Sequence, residues 1–284
     1  MAEPFPQLAF FGHHKCMTWT TERILRRACM MAGLSSLRLS HGSRFNYDLG
    51  RYLSAHPVDF VFYTNADARC LGDLGILRGF HIVRDPRDIV ASAYFSHLHS
   101  HPTHEWTQLT QHRQRLQQVS KNEGLLLELQ FRRSQFEAME QWNDERADIL
   151  ELRMEDMIAN FENGYVRVFE FLGLRAKSRN LFRRLALGTA ALNNQLHCYS
   201  RGLWPVGLKT RAVPPGALAR AIRGCRFEKM SGGRQPGQED STSHFRKGTA
   251  GDWRNHFTAE HIAFFKRHYN ALLLKLGYES DADW

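Results

Sequence analysis

Leu8 to Gly12 is a short apolar run that ends in glycine, the pattern of a buried strand. From Thr20 to Met31 the apolar residues take helical spacing. Ile24, Leu25, Ala28 and Met31 share one face, and Gly33 stands where a helix closes. Leu37 to Leu39 reads as a second strand, and Phe45 to Ala55 as a short helix stopped before Pro57. Asp59 to Tyr63, rich in aromatics, and Gly79 to Val83 are further strands. Asp88 to His97 is helical behind a proline at a helix-start position. Leu125 to Ala147 forms one long amphipathic segment, followed by a strand at Ile149 to Leu152. Helices are predicted at Ala159 to Leu172, closed by Gly173, and at Ser178 to Leu196. Trp204 to Gly216, with three prolines, reads as a loop or insertion. Thr258 to Leu276 is a final amphipathic helix with Thr258 as its cap. Strands alternating with helices predict an α/β domain, its largely parallel central sheet flanked by helices on both faces.

The pattern disappears between Met230 and Ser243. This stretch is rich in Gly, Ser and charge and offers almost nothing to bury, so it is expected to be mobile. It leads into Arg246 and Lys247, which makes residues 230–250 a candidate lid on a single domain spanning 1–284.

Composition narrows the setting. The 284 residues are 43% hydrophobic, enough for a sizeable core. No apolar run is long enough for a membrane span, and Met1 to Gln7 lacks the basic start of a secretory signal. Five scattered cysteines (Cys16, Cys29, Cys70, Cys198, Cys225) suit a reducing, cytoplasmic setting. The formal charge of +9 calls for an anionic partner. The basic residues occur in short groups, not in one stripe interleaved with aromatics, so nucleic acid is not the expected partner.

Three segments carry candidate chemistry. In Phe10 to Trp19 (FFGHHKCMTW) a strand runs into a turn with a lysine and a hydroxyl, and a helix opens. Amide N–H groups free at a helix start and the helix dipole favour an anion there. This is not a Walker loop, because the Gly-Lys-Ser/Thr ending is absent. In Phe80 to Tyr94 (FHIVRDPRDIVASAY) Arg84 ends a strand, at the edge where open α/β sheets bind ligands, and Ser92 follows on the next helix. A guanidinium with a hydroxyl suits a phosphate monoester. In Phe245 to Phe257 (FRKGTAGDWRNHF) Arg246, Lys247 and the Gly248 amide form a possible second phosphate cradle.

Taken together and in this order, the segments resemble the family of sulfotransferases that use 3′-phosphoadenosine 5′-phosphosulfate (PAPS). The resemblance is to bacterial members akin to the cytosolic enzymes and spans Phe10 to Phe257. It implies a P-loop-kinase-like, three-layer fold. It also implies metal-free transfer of a sulfuryl group from PAPS to a hydroxyl or amine of a small molecule, leaving 3′-phosphoadenosine 5′-phosphate (PAP). Carried over by position, the PAPS-binding set is His14, Lys15, Cys16, Met17, Thr18, Trp19, Arg84, Ser92, Arg246, Lys247 and Gly248. Lys15 would contact the 5′-phosphosulfate and stabilise charge on the leaving phosphate. Arg84 and Ser92 would hold the 3′-phosphate.

The chain departs from the family at three places. Met17 stands where a glycine is usual, and Trp19 falls one place early, so its stacking on adenine is open. Met154 replaces a tyrosine before the Glu-Asp pair. Asn65 occupies the place of a catalytic histidine, and asparagine cannot act as a general base. Asp67 and His41 are the replacement candidates, with the histidines from His97 to His104 behind them. That histidine run shows no carboxylate or thiolate in register, so no metal is expected. A kinase of related fold is the alternative, opposed by Cys16 where a magnesium-binding hydroxyl would stand. A PAPS-binding protein without turnover is the other.

Overall fold

A computed structural model describes residues 5–104, 106–176, 180–200, 204 and 207–284. The strands are β1 (Gln7–Phe11), β2 (Ser36–Leu39), β3 (Phe60–Tyr63), β4 (Leu77–Val83) and β5 (Ile149–Arg153). The helices begin with α1 (Thr18–Ala32), α2 (Leu49–Ala55), α3 (Pro86–Phe95), α4 (Thr107–Leu116), α5 (Lys121–Phe131) and α6 (Arg133–Glu140). They continue with α7 (Met154–Ala159), α8 (Phe161–Phe171), α9 (Leu181–Tyr199), α10 (Pro215–Arg223), α11 (Phe227–Met230) and α12 (Ala259–Lys275). Among the described residues, no helix is long and apolar enough to cross a membrane.

The chain divides into two compact units. The first holds the chain up to His13, then Met17–Ile82 and Asn143–Arg226. Its five-stranded sheet has the order β2-β3-β1-β4-β5. The pairings of β2 with β3, β3 with β1 and β1 with β4 are parallel. The central strands are apolar on both faces: Phe10, Phe11, Phe60, Phe62 and Phe80 are wholly buried. This is the sequence signature of a parallel strand covered on both sides. Each such side chain contributes about 1.5–3 kcal/mol by leaving water. Helix α1 packs on α9 and α10, and Gly33 closes it at φ +67, as its position predicted.

The second unit holds His14–Cys16, Val83–Trp142 and Phe227–Trp284. Helix α12 packs on α3, α5 and α6. Phe136 and Phe265 are fully buried there, and the Tyr269 hydroxyl donates to the Leu129 carbonyl at 2.9 Å.

Several predicted elements differ in detail. The helix expected over Phe45 to Ala55 is interrupted, because Asn46 and Tyr47 take left-handed backbone and Asp48 caps a new start at Leu49. The long segment from Leu125 breaks at Arg132 and ends at Glu140. The helix expected over Ala159 to Leu172 is α8, and a separate short helix not expected, α7, precedes it across Asn160. The helix expected from Ser178 begins at Leu181; Ser178 itself lies outside the described residues. Within the expected loop Trp204 to Gly216, Val213 bridges Arg175 and α10 already starts at Pro215, where the fixed proline φ suits a first turn.

Candidate active site

The loop after β1 puts Lys15 in the left-handed region, at φ +69. Residues with a Cβ rarely adopt that backbone, so neighbours must hold it. Arg84 Nη1 donates to the Lys15 carbonyl at 3.1 Å. Gln135 Nε2 donates to the His14 carbonyl at 3.0 Å, and Arg132 Nη1 donates to His14 Nδ1 at 3.0 Å. Met17, which precedes α1, is also left-handed at φ +58, at the position where the family's glycine was missed. The start of α1 has no side-chain cap and no acid in its first turn, which leaves its amide N–H groups for an anion. Thr18 turns its hydroxyl back to the His13 carbonyl at 2.7 Å, and Cys16 is buried. Trp19 is 47% exposed, with the Arg23 guanidinium 5.4 Å from its ring centre.

The segment after β4 mixes binding and scaffolding groups. Asp85 caps α3 and grips the Arg87 guanidinium with both oxygens. Arg87 lies between the Trp253 and Trp284 rings, at 4.2 and 4.5 Å, and also pairs with Glu279. Asp88 accepts the Gly251 and Trp253 amides at 2.6 and 2.9 Å. The Arg-Asp-Pro-Arg-Asp motif therefore ties α3 to the Gly-Asp-Trp motif, and Arg84 and Ser92 are left as its candidate ligand groups. Arg84 is buried, 3.9 Å from Asp88, and Ser92 is half-buried on α3.

In the third segment Arg246 pairs with Asp252 and with Glu239, and lies over the Phe95 ring at 4.5 Å. Lys247 reaches the other Asp252 oxygen at 2.5 Å. Burial opposes the charge on Asp252, yet hydrogen bonds from His256, Lys247, Arg246 and Asn255 hold its pKa far below the carboxylate range. Gly248 is required by its φ of +71 and by the Phe227 ring, which a Cβ would meet at 2.5 Å. Arg234 threads the Gly- and Ser-rich stretch. Its guanidinium donates to the carbonyls of Gln238, Phe245 and Arg246 and to the Ser243 hydroxyl.

These cations act on one another. Desolvation, then the charges of Arg84, Arg246 and Arg132, pull the Lys15 pKa down to about 7. Buried cations this close together make the cluster a candidate anion site. Beneath His14 lies a buried ion network. Glu128 Oε2 accepts from His97 Nδ1 at 2.9 Å and from His112 Nε2 at 2.8 Å, while Oε1 faces Arg132 Nε at 3.0 Å. Burial would raise the Glu128 pKa, but His97 and Arg132 outweigh it and keep the carboxylate ionised. His97, His112 and Glu128 place ligand atoms within 4.8 Å of one another. The Arg132 guanidinium on the same carboxylate already supplies the positive charge a metal would bring, so the cluster reads as an ion network.

In the first unit His13 Nε2 meets His81 Nε2 at 2.8 Å, and His81 Nδ1 meets Glu151 at 2.6 Å. Asp67, expected as a base, caps the turn Ala68–Cys70 and takes the Arg69 guanidinium on both oxygens. Those Arg69 bonds lower its pKa, which leaves Asp67 poorly suited to take a proton. His41 stands at the surface, its pKa lowered by partial burial and by Arg38 and Arg44. Sequence reasoning missed Arg132, Gln135 and Glu128. The i,i+4 spacing of Glu128 and Arg132 within a helical pattern was the one signal available.

Residues 77–277 match the family model described as the sulfotransferase domain. No curated protein sequence matches the chain. Among solved structures the chain is similar to mouse sulfotransferase SULT7A1 complexed with PAP, at 15% identity and a TM-score of 0.57, over 98% of this chain and 90% of that one. A retinol dehydratase in complex with androsterone and inactive cofactor PAP is 14% identical with a TM-score of 0.46, over 95% of this chain and 81% of that one. The mouse structure supports the α/β fold, with its central parallel sheet flanked by helices, that the alternating pattern predicted.

Proposed function

The chain belongs to the sulfotransferase family, with the match running over residues 77–277, and from that premise we propose that it moves a sulfuryl group from PAPS to a hydroxyl or amine of a small molecule. The observation that carries the reading is the cluster of Lys15, Arg84, Arg132 and Arg246, close enough to depress the Lys15 pKa. Such a cluster fits a nucleotide with a phosphate at one end and a phosphosulfate at the other. PAP in the similar mouse enzyme agrees with it.

PAPS supplies an activated sulfuryl group, so the chain must bind, orient and balance charge. Lys15 neutralises negative charge as it grows on the 5′-phosphate, an effect larger in the transition state than in the ground state. Arg84 and Ser92 hold the 3′-phosphate, with Arg246, Lys247 and the Gly248 amide on its other side. His14, Cys16, Met17, Thr18 and Trp19 complete the binding loop. Asp252 and Glu239 keep Arg246 and Lys247 ordered until the phosphate arrives. The domain acts in the cytoplasm, in keeping with its five scattered cysteines, and residues 230–250 close over the nucleotide. Incubation with labelled PAPS and a metabolite extract, followed by mass spectrometry for an added sulfuryl group, tests the activity. PAP binding without any sulfated product would leave a PAPS-binding protein in its place.

A further inference from the structure

Asn65 leaves the proposed reaction without the family's histidine, and Asp67 is occupied by Arg69. His14, His97, His101 and His244 act on Lys15 in the second unit, and His112 shares Glu128 with His97. Hydrogen bonds fix where His14, His97, His112 and His101 carry their lone pairs. His14 accepts at Nδ1 from Arg132, so its lone pair is taken and its proton sits on Nε2. His97 donates from Nδ1 to Glu128, and its Nε2 is fully enclosed. His112 donates from Nε2 to the same carboxylate and lies flat on Phe131, with ring centres 4.0 Å apart. His101 differs from all three. Its Nδ1 lies 2.7 Å from the Pro102 carbonyl, which can only accept. The proton is therefore on Nδ1, and Nε2 carries the lone pair in a ring that is half-buried, not sealed.

The backbone beneath this ring is held firmly. His101 ends a π turn over Ser96–Ser100, where its amide donates to the Ser96 carbonyl at 2.7 Å. A π turn is a costly local form that recurs at functional positions. Arg113 grips both ends of it, donating to the carbonyls of His97 and His101. The ring meets His14 edge-on at 4.9 Å and Trp106 at 5.5 Å. His14 is the immediate neighbour of Lys15 in the chain.

The geometry points to His101 as the general base that takes the acceptor's proton, an inference that rests on the sulfotransferase reading. The acceptor oxygen or nitrogen forms a bond to sulfur, and the bond from sulfur to the 5′-phosphate oxygen breaks with its electron pair, giving PAP. The acceptor's proton moves to His101 Nε2 and later to water, while Nδ1–H stays on Pro102 and stabilises the imidazolium. The groups facing the ring are Lys15, Arg132, Arg113, His14, His97 and His244. Burial, opposed by the Pro102 bond, and the charges of Lys15, Arg132 and Arg113 lower its pKa below the ordinary 6.5. The ring is thus neutral and able to accept a proton at pH 7.

The test uses the full chain and three readouts. Nitrogen-15 NMR of the imidazoles, without substrate, should show His101 protonated at Nδ1 and bare at Nε2. The opposite tautomer overturns the assignment whatever the rates. PAP affinity should be unchanged in His101→Gln. Release of PAP from PAPS, with 2-naphthol or with water alone as acceptor, should fall about 100- to 10,000-fold in that variant. Imidazole added to His101→Ala should restore part of it. Wild-type activity should fall on acidification below pH 6.5, and that limb should vanish in His101→Gln. Equal turnover by wild type and His101→Gln overturns the base and leaves the sulfotransferase reading standing. A wild-type protein that neither binds PAP nor consumes PAPS overturns that reading first.

Discussion

Moving the pH from 7 to 9 removes the proton from Lys15 in the free protein, whose pKa is pulled down to about 7 by desolvation and by Arg84, Arg246 and Arg132. A nucleotide carrying dianionic phosphates reverses that balance, because each negative oxygen favours the charged amine. Binding above pH 7 must then draw a proton from solvent. Affinity for PAP should be flat below pH 7 and fall about tenfold per pH unit above it, or about 2.7 kcal/mol by pH 9, at 1.36 kcal/mol per unit. The sign follows from the protonated form being the one that binds. Phosphate groups with a second pKa near 6 are already dianionic in this window, so they add no competing proton. His14, His97, His101 and His244 have pKa values lowered below 6.5 by burial and neighbouring charge and are silent there as well. Calorimetry at pH 8.5 in two buffers of different ionisation enthalpy reads the proton count directly. Uptake near one proton per PAP is expected in wild type. Uptake should vanish in Lys15→Arg, which keeps its charge at every pH used. Pairwise affinity that does not change between pH 7 and 9, with no proton uptake, would refute a Lys15 contact with the nucleotide.

Three further outcomes are expected. Arg84→Ala should narrow the preference for PAPS over adenosine 5′-phosphosulfate, which lacks the 3′-phosphate; a charged hydrogen bond there contributes about 1.5–3 kcal/mol, and competitive binding of the two nucleotides measures it. Met17→Gly should stabilise the chain by about 1 kcal/mol, because glycine holds φ +58 without the Cβ penalty; a lower melting temperature would show that the methionine side chain contributes more than the backbone costs. Hydrogen exchange over residues 230–250 should slow when PAP binds, and Arg234→Ala should speed it in the free protein by releasing four hydrogen bonds. Equal exchange with and without saturating PAP would sink the lid.

Local pattern was enough to locate the sheet and most helices. Strands that are apolar on both faces, such as Phe60–Tyr63, and one-faced helices such as Thr18–Ala32 show their burial in residue order alone. The cations Lys15, Arg84, Arg246 and Lys247 were legible as candidates, because each stands in a short segment of charged and hydroxyl residues next to a predicted turn or strand end. Long-range partners were not legible. Arg132, where the expected Leu125 helix breaks, pairs with Glu128 and reaches His14, 118 positions away. Asp88 read only as the first residue of a predicted helix, but its buried carboxylate holds the Gly251 and Trp253 amides. Asp67 looked like a free carboxylate until Arg69 was seen to fold back onto it. Residue type says whether a side chain can donate, accept or carry charge. Only tertiary contacts decide whether that capacity is already spent, because burial strips water away and makes the remaining partner fix the proton, as the Pro102 carbonyl does for His101.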